Sequence, residues 1–485
     1  MEVFRQNSGR YVIAPILAAA AICLNLPGSG YGMGASASGA GPVHIVLDKT
    51  WEPKSGQIID CRGGWILPRK LAAANRGVSE PDTLLHLGAG VENVQILNCR
   101  LDATFPIVIT GGKGHRISGN TIRSTSRSIY VVGGEQTMID HNNMRSMGRN
   151  VEIRGDSKET VLYRNHLSYQ LGGHPVEGWP GITNDDEPGA VGVYVFSVPG
   201  VIYLVINDRL IQVLSYGDTR ITGTVVRENT IDLRSGSIAG FGIIFATRSE
   251  DSLAEGNTIF GGGIGLGVFG LDDGGFFYEP GVCSEDPEFY CNLGDGVCEF
   301  IGIGECIPGT KVTGGGRVLA PTFKGNRVFG AFHGFDAGLS KDLVFENNHL
   351  EKNDVGIFLV GYALESSTKV QGNIVLQNKV GLRLEDDSLF DVEEPGLEVS
   401  YNDFGDNKQS FDAYRLVYDD NGEEVLDVLP YLKSTTLNNN WWASAPCGFP
   451  QNQERWPNVE DPVAAALPIA AAWQAGEADA VPRCD

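Results

Sequence analysis

Four arginines and one short run of alternating charge are the residues of this chain best placed to do chemistry. Arg123 and Arg145 each lie three residues after an asparagine, Asn120 and Asn142, and Arg127 and Arg149 each lie seven after the same two. If that interval is one structural repeat, like charges stack one strand spacing apart and repel unless something anionic lies between them. Guanidinium forks match carboxylate and sulfate groups. The pairs therefore predict a positive ladder that binds an anionic polymer such as a uronate or sulfated polysaccharide. The competing arrangement has long side chains splayed into solvent and paired to nearby acids. Further along, Glu152, Arg154, Asp156 and Lys158 alternate. Glu152 and Asp156 would supply a carboxylate pair for calcium, and Arg154 and Lys158 basic groups able to take a proton. The same alternation also describes an ordinary solvated strand.

The elements that must position these groups follow from a repeat. An apolar residue, two others, Asn, one other and a second apolar residue recur from Ile117-x-x-Asn120-x-Ile122 to Leu437-x-x-Asn440-x-Trp442. The intervening asparagines are Asn142, Asn165, Asn229, Asn257, Asn326, Asn348, Asn373 and Asn402. The short intervals, about 22–29 residues, are each one turn; the two long ones hold hidden turns or inserted loops. Eight residues after several of these asparagines a glycine opens an alternating strand, as in Gly265-Ile-Gly-Leu, Gly356-Ile-Phe-Leu and Gly381-Leu-Arg-Leu. Period-two alternation means strands with one buried face. Several short strands per turn, repeated, predict an all-β, right-handed parallel β-helix. At a bend the asparagine tolerates left-handed backbone angles, and its amide can bond the amides of adjacent coils. The asparagines are structural on this reading. Cys61 and Cys99 occupy the asparagine phase on adjacent coils, within disulfide reach, and are expected to pair.

The coil pattern resembles the pectin-lyase-like right-handed β-helix superfamily over roughly residues 55–445. That superfamily includes polysaccharide lyases, glycoside hydrolases, epimerases, esterases and non-catalytic surface proteins, so the resemblance implies a fold more narrowly than an activity. Met138-Ile-Asp140-His-Asn142 is similar to a W-I-D-H stretch of pectate lyases, which implies calcium binding by Asp140, with Met138 in place of Trp. Asn150-Val-Glu152-Ile-Arg154-Gly-Asp156-Ser157 is similar, at a shorter spacing, to a stretch of alginate and chondroitin lyases. The base-supplying phrases R-x-P-x-x-R, Asn-Lys-Ser and Arg-His-Gly are absent, so no subfamily is assigned. The resulting expectation is lyase-type β-elimination on an anionic polysaccharide. Arg154 and Lys158 would be catalytic, Arg123, Arg127, Arg145 and Arg149 would bind substrate, and Asp140, Glu152 and Asp156 would hold calcium. A glycoside hydrolase or epimerase is the alternative on the same scaffold, and a non-catalytic surface or adhesion protein the alternative of another class.

Composition sets limits. The chain has 485 residues, 64 glycines without a G-X-Y period, 42% hydrophobic residues and a formal charge of −23. Collagen, wholesale disorder and general nucleic-acid binding are excluded. The charge is uneven: residues 100–164 carry ten Lys/Arg against six Asp/Glu, while residues 385–427 carry two against fifteen. Asp336, Arg383, Glu385 and Asp412 make a second, acidic surface suited to calcium. His141, His166 and His349 flank repeat asparagines, where a turn role is expected.

Arg5 and Arg10, the apolar run Tyr11–Leu26 and Ala35-Ser-Ala37 read as a secretory signal over residues 1–37, which predicts a secreted, periplasmic or cell-surface protein. The β-helix then spans 38–442, with 170–219 an insert or asparagine-free coils and 272–310 a cysteine-rich insert pinned by two disulfides. Residues 443–485 form a cap, closed by Cys447 and Cys484. No transmembrane segment is expected in the mature chain, and a monomer is expected.

Overall fold

A computed structural model of the chain describes residues 41–68, 83–169, 190–197, 220–235, 240–270, 318–360, 368–385, 397–411 and 440, and the backbone alone of strand segments within 203–212, 276–313 and 386–427. The signal segment and the cap lie outside the described residues.

The described chain is all-β, with no helix, and coils as a right-handed parallel β-helix of about ten turns. Each turn contributes one short strand to each of three long sheets, which have 11, 12 and 11 strands. Sheet 1 holds the strand after each repeat asparagine, for example Thr121–Ser124 and Asn143–Ser146. Sheet 2 holds the next, Arg127–Val132 and Arg149–Arg154, and sheet 3 the last, Arg116–Ser118 and Met138–Asp140. Both apolar positions of the repeat are fully buried in every repeat from Ile117 to Phe404. These residues fill the tube formed by the three sheets, and this burial is what drives coil to stack on coil.

The asparagines form one continuous ladder. Asn120 donates its backbone N–H and its Nδ2–H to Oδ1 of Asn142, both at 2.9 Å, and a second Nδ2–H to the carbonyl of Ile96 at 2.9 Å. The pattern repeats coil by coil until Asn402 donates to Asn440. At its start the Cys99 N–H donates to Asn120 Oδ1, and Cys99 is disulfide-bonded to Cys61 with Cα atoms 4.8 Å apart, as the repeat phase predicts.

One expectation is corrected. The left-handed residue at each bend is not the asparagine but its predecessor: Gly119, His141, Arg164, Glu228, Gly256, Gly325, Asn347, Gly372 and Tyr401 all have positive φ. The asparagine side chain must point inward to bond its neighbours, so the residue before it makes the turn.

The glycine eight residues on also has a physical cause. In the later coils a second ladder runs through Asn353, Asn378 and Asn407, each five residues after a first-ladder asparagine. A Cβ on Gly334, Gly356 or Gly381 would lie 2.9, 3.1 or 2.8 Å from Nδ2 of Asn353, Asn378 or Asn407 and 2.7, 2.7 or 2.6 Å from a carbonyl of the next coil. Only glycine fits against that ladder.

The long intervals hold insertions, not hidden turns, because Asn165 bonds Asn229 directly and Asn257 bonds Asn326. Within the first, Val191–Val195 is an ordinary sheet 2 strand, whereas Tyr203–Ile206 and Arg209–Gln212 pair as an antiparallel hairpin. The cysteine-rich insert is a stack of antiparallel pairs whose backbone register sets Cys283 opposite Cys306 and Cys291 opposite Cys298.

Removing either ladder contact strands buried polar groups or overfills the core. Asn348→Ala and Gly356→Ala should each lower the unfolding free energy by about 1–3 kcal/mol. Urea titration followed by circular dichroism measures this, and an unchanged midpoint for both would contradict the ladder's role.

Candidate functional site

On the outer face of sheet 2 the register places Arg127 beside Arg149 and Glu152 between Tyr130 and Tyr194. Glu152 is fully buried. Its carboxylate accepts from Arg127 Nε–H and from Arg149 at 2.7 Å, and Arg154 Nε lies 2.9 Å from its other oxygen. Each guanidinium also faces a ring: Arg127 sits over Phe105 and Tyr130, Arg149 is 5.0 Å from the Tyr194 centroid, and Arg154 is 4.5 Å from that of Phe196. Burial pushes the Glu152 carboxyl up, but the charges of Arg127, Arg149 and Arg154 outweigh it and hold the group below its ordinary value. The anion expected between Arg127 and Arg149 is therefore the protein's own Glu152.

That geometry separates the residues expected to act together. Arg154 is drawn to Glu152 through Nε and lies over the Phe196 ring, which directs it to the buried cluster rather than to an open surface. Asp140 lies on sheet 3, where Arg116 grips it with two bonds of 3.1 and 3.0 Å, Ser118 donates at 2.9 Å and His141 lies at 2.9 Å. Burial raises the Asp140 carboxyl, and the Arg116, His141 and Ser118 bonds together bring it below its ordinary value. Asp156 and Lys158 are exposed on the turn that leaves sheet 2 for sheet 3. Asp140, Glu152 and Asp156 thus do not converge, and among the described residues no three His, Cys, Asp or Glu side chains are placed to hold a metal ion. A carboxylate already saturated by guanidinium groups is also a poor calcium ligand. Calcium does not fit these residues.

Sheet 1 presents a different surface. Arg123 and Arg145 are in register on adjacent strands, as the repeat phase predicts, and both are exposed. Neither has a hydrogen-bond or ion-pair partner among the described residues. They line an open cavity of about 610 Å³ together with His166, Ser168, Tyr169, Asp232 and Arg234. Asp232 accepts from Arg234 Nε and Nη2 at 2.9 and 2.6 Å. The bond from Arg234 holds the Asp232 carboxyl below its ordinary value despite partial burial, with a smaller contribution from His166. Arg234 also lies 5.0 Å from the Phe260 ring centre. Among the described lining residues, three arginines stand against one carboxylate and leave this surface positive.

Asp232 and Arg234 are not among the site residues the sequence pattern singles out. Asp232 stands three residues after Asn229, the phase of Arg123 and Arg145 after their own asparagines, so the repeat carried the signal. His166, expected only at a turn, is the outward first residue of its strand, opposite Asn143 and Thr230.

Farther along sheet 2, Asp336 faces Gly267 on one side and Phe358 on the other. It is buried, and its Oδ2 lies 2.7 Å from Nδ1 of His333, whose ring stacks on Phe332 and packs at a tilt against Phe358. Burial raises the Asp336 carboxyl more than His333 lowers it. Asp336 is thus half of a shielded carboxylate–imidazole pair rather than part of an acidic calcium surface. The side chain of Asp412 lies outside the described residues.

The chain matches no protein-family model, and no curated protein matches it. Among solved structures it is similar to the tailspike protein of Escherichia coli bacteriophage HK620 in complex with a pentasaccharide, at 10% identity and a TM-score of 0.38, covering 78% of this chain and 58% of the tailspike. A variant of that tailspike is 12% identical with a TM-score of 0.42, over 83% of this chain and 71% of the other. An endo-xylogalacturonan hydrolase from Aspergillus tubingensis is 10% identical with a TM-score of 0.31, over 77% of each chain. The chain thus spans less than two thirds of the tailspike it matches first. The β-helix assignment rests on the strand order and register described above. No helix of the described residues is long and apolar enough to cross a membrane.

The Glu152 cluster makes a directional prediction. Glu152→Gln leaves three largely buried guanidinium groups without their counter-charge and should cost about 3–5 kcal/mol at neutral pH. Because the folded carboxyl is shifted down, its stabilisation is present above the ordinary carboxylate range and is lost as pH falls through the folded value. The stability gap between wild type and variant should therefore shrink below about pH 4. Thermal melts across that range test this; a gap that widens on acidification would contradict it.

Proposed function

We propose that this β-helix is a carbohydrate-active protein that binds an acidic polysaccharide in the sheet 1 cavity and cleaves it by β-elimination. One observation carries the reading: Arg123 and Arg145 are stacked in register, face an open cavity and have no hydrogen-bond or ion-pair partner among the described residues. On sheet 2 the same stacking is neutralised by Glu152; on sheet 1 it is left for a ligand. Two like charges about 5 Å apart near a surface repel by about 1–3 kcal/mol, which a shared carboxylate or sulfate would relieve. Strands recur along the sheet at about 4.8 Å, a regular track suited to a repeating polymer.

The cavity's chemistry favours elimination over hydrolysis. Hydrolysis by paired acids needs two carboxyl groups flanking the glycosidic bond. Among the described residues the cavity has one, Asp232, and Arg234 holds it in its ionised form. Elimination needs instead that the uronate carboxylate be neutralised so that the adjacent C–H becomes acidic, which is what a pair of guanidinium groups supplies.

Binding and turnover test this over a panel of polygalacturonate, alginate and chondroitin sulfate, with a neutral dextran as control. At least one acidic polymer should bind, weaken as salt rises, and release products absorbing at the unsaturated-uronate wavelength. Arg123→Ala and Arg145→Ala should each weaken binding roughly ten- to a hundred-fold, as expected for a lost charge-assisted bond. Equal binding of the neutral dextran, or binding indifferent to both substitutions, would contradict the proposal.

A further inference from the structure

The elimination reading leaves the base unassigned, because Arg154 is bound to Glu152 and Lys158 stands on the turn toward sheet 3. We infer that His166 is the catalytic base, a step that rests on the proposed acidic-polysaccharide cavity on sheet 1. His166 begins the strand His166–Tyr169 and pairs in register with Asn143, while Arg145 pairs with Ser168 on the same strand. The imidazole and the guanidinium are thus diagonal neighbours on one face, with backbones about 8 Å apart from strand spacing and residue rise. Side chains of that length can close on a single sugar ring, one at the carboxylate and one at the carbon beside it.

Three features fit His166 to this task. It is exposed and lines the same cavity as Arg123 and Arg145. No hydrogen bond or ion pair engages its ring among the described residues, unlike His141, His333 and His86, which face Asp140, Asp336 and Thr110. Asp232 lies one strand farther on, two residues past Thr230, the in-register partner of His166, and is close enough for the two side chains' charges to interact. Arg234, with two bonds to Asp232, is a positioning residue that keeps this carboxylate ionised.

The step balances without a cofactor or a net water. Arg123 and Arg145 pair with the carboxylate of a uronate residue and withdraw charge from the adjacent C5–H. A His166 ring nitrogen takes the C5 proton. The C–H electron pair becomes the C4–C5 double bond, and the C4–O glycosidic bond breaks. The imidazolium then gives its proton to the departing oxygen. The products are an unsaturated uronate end and a chain with a new hydroxyl group.

His166→Thr is the informative variant, because Thr121 and Thr230 occupy the same outward column and the fold already accepts threonine there. Calorimetry with an oligouronate and absorbance-monitored turnover read binding and chemistry separately. The variant should bind within about threefold of wild type and turn over roughly 10²–10⁴-fold more slowly, the usual contribution of a positioned base. Added imidazole should restore part of the rate in proportion to its concentration, which a merely structural role would not allow. A variant retaining a tenth or more of the wild-type rate would overturn the base assignment alone. Wild-type protein that binds acidic oligomers but never yields the unsaturated product would overturn both the assignment and the elimination reading.

Discussion

A buried amide must find a partner in the next coil, and almost everything in this molecule follows from that requirement. Each repeat asparagine, Asn142 for example, accepts at Oδ1 from the backbone and side-chain N–H of the preceding coil's asparagine, and donates its Nδ2–H groups to the next coil's Oδ1 and to a backbone carbonyl of the preceding coil. An unmade bond here would cost about 1–3 kcal/mol per group, so each coil has a single acceptable register. Register, once set, stacks every residue at a given offset from the asparagine. That is why two arginines far apart in sequence become neighbours, and why cysteines in the asparagine phase can close a disulfide.

Stacking like charges is costly, and the two arginine columns resolve it differently. On sheet 2 the solution is internal: Glu152 sits among Arg127, Arg149 and Arg154, and aromatic rings from the adjacent coils cover the guanidinium planes. The result is a rigid, shielded cluster. On sheet 1 the column faces an open cavity: Asp102 stands beside Arg123 at one end, and the one carboxylate among the described residues that line the cavity, Asp232, is held by a third arginine. An asymmetry of this kind, within one coil, distinguishes a structural charge cluster from a column open to solvent.

Much of the fold was legible because a repeat is a strong local constraint. Asn120 to Asn440, the Cys61–Cys99 bond and the two arginine registers all follow from phase alone. Reasons that involve a third residue were less legible. Gly356 is needed because of Asn378, on the next coil, and the left-handed angle belongs to the residue before each asparagine. The site was legible only in part. Asp140, Glu152 and Asp156 are close in sequence, yet the coil turns a corner between sheets and sends them apart. His166 and Asp232 are far apart in sequence, separated by an insertion, yet lie on adjacent strands. Sequence proximity misled where the tube bends, and phase informed wherever it does not.

On the proposed reading, sheet 1, not the buried cluster on sheet 2, is where this protein meets an acidic polysaccharide. A crystal structure with a bound oligouronate tests it most directly. The account predicts a uronate carboxylate within hydrogen-bonding distance of both Arg123 and Arg145, with His166 facing the same sugar ring. An oligosaccharide seated over Glu152 and Arg154 on sheet 2, with the sheet 1 cavity empty, would contradict it.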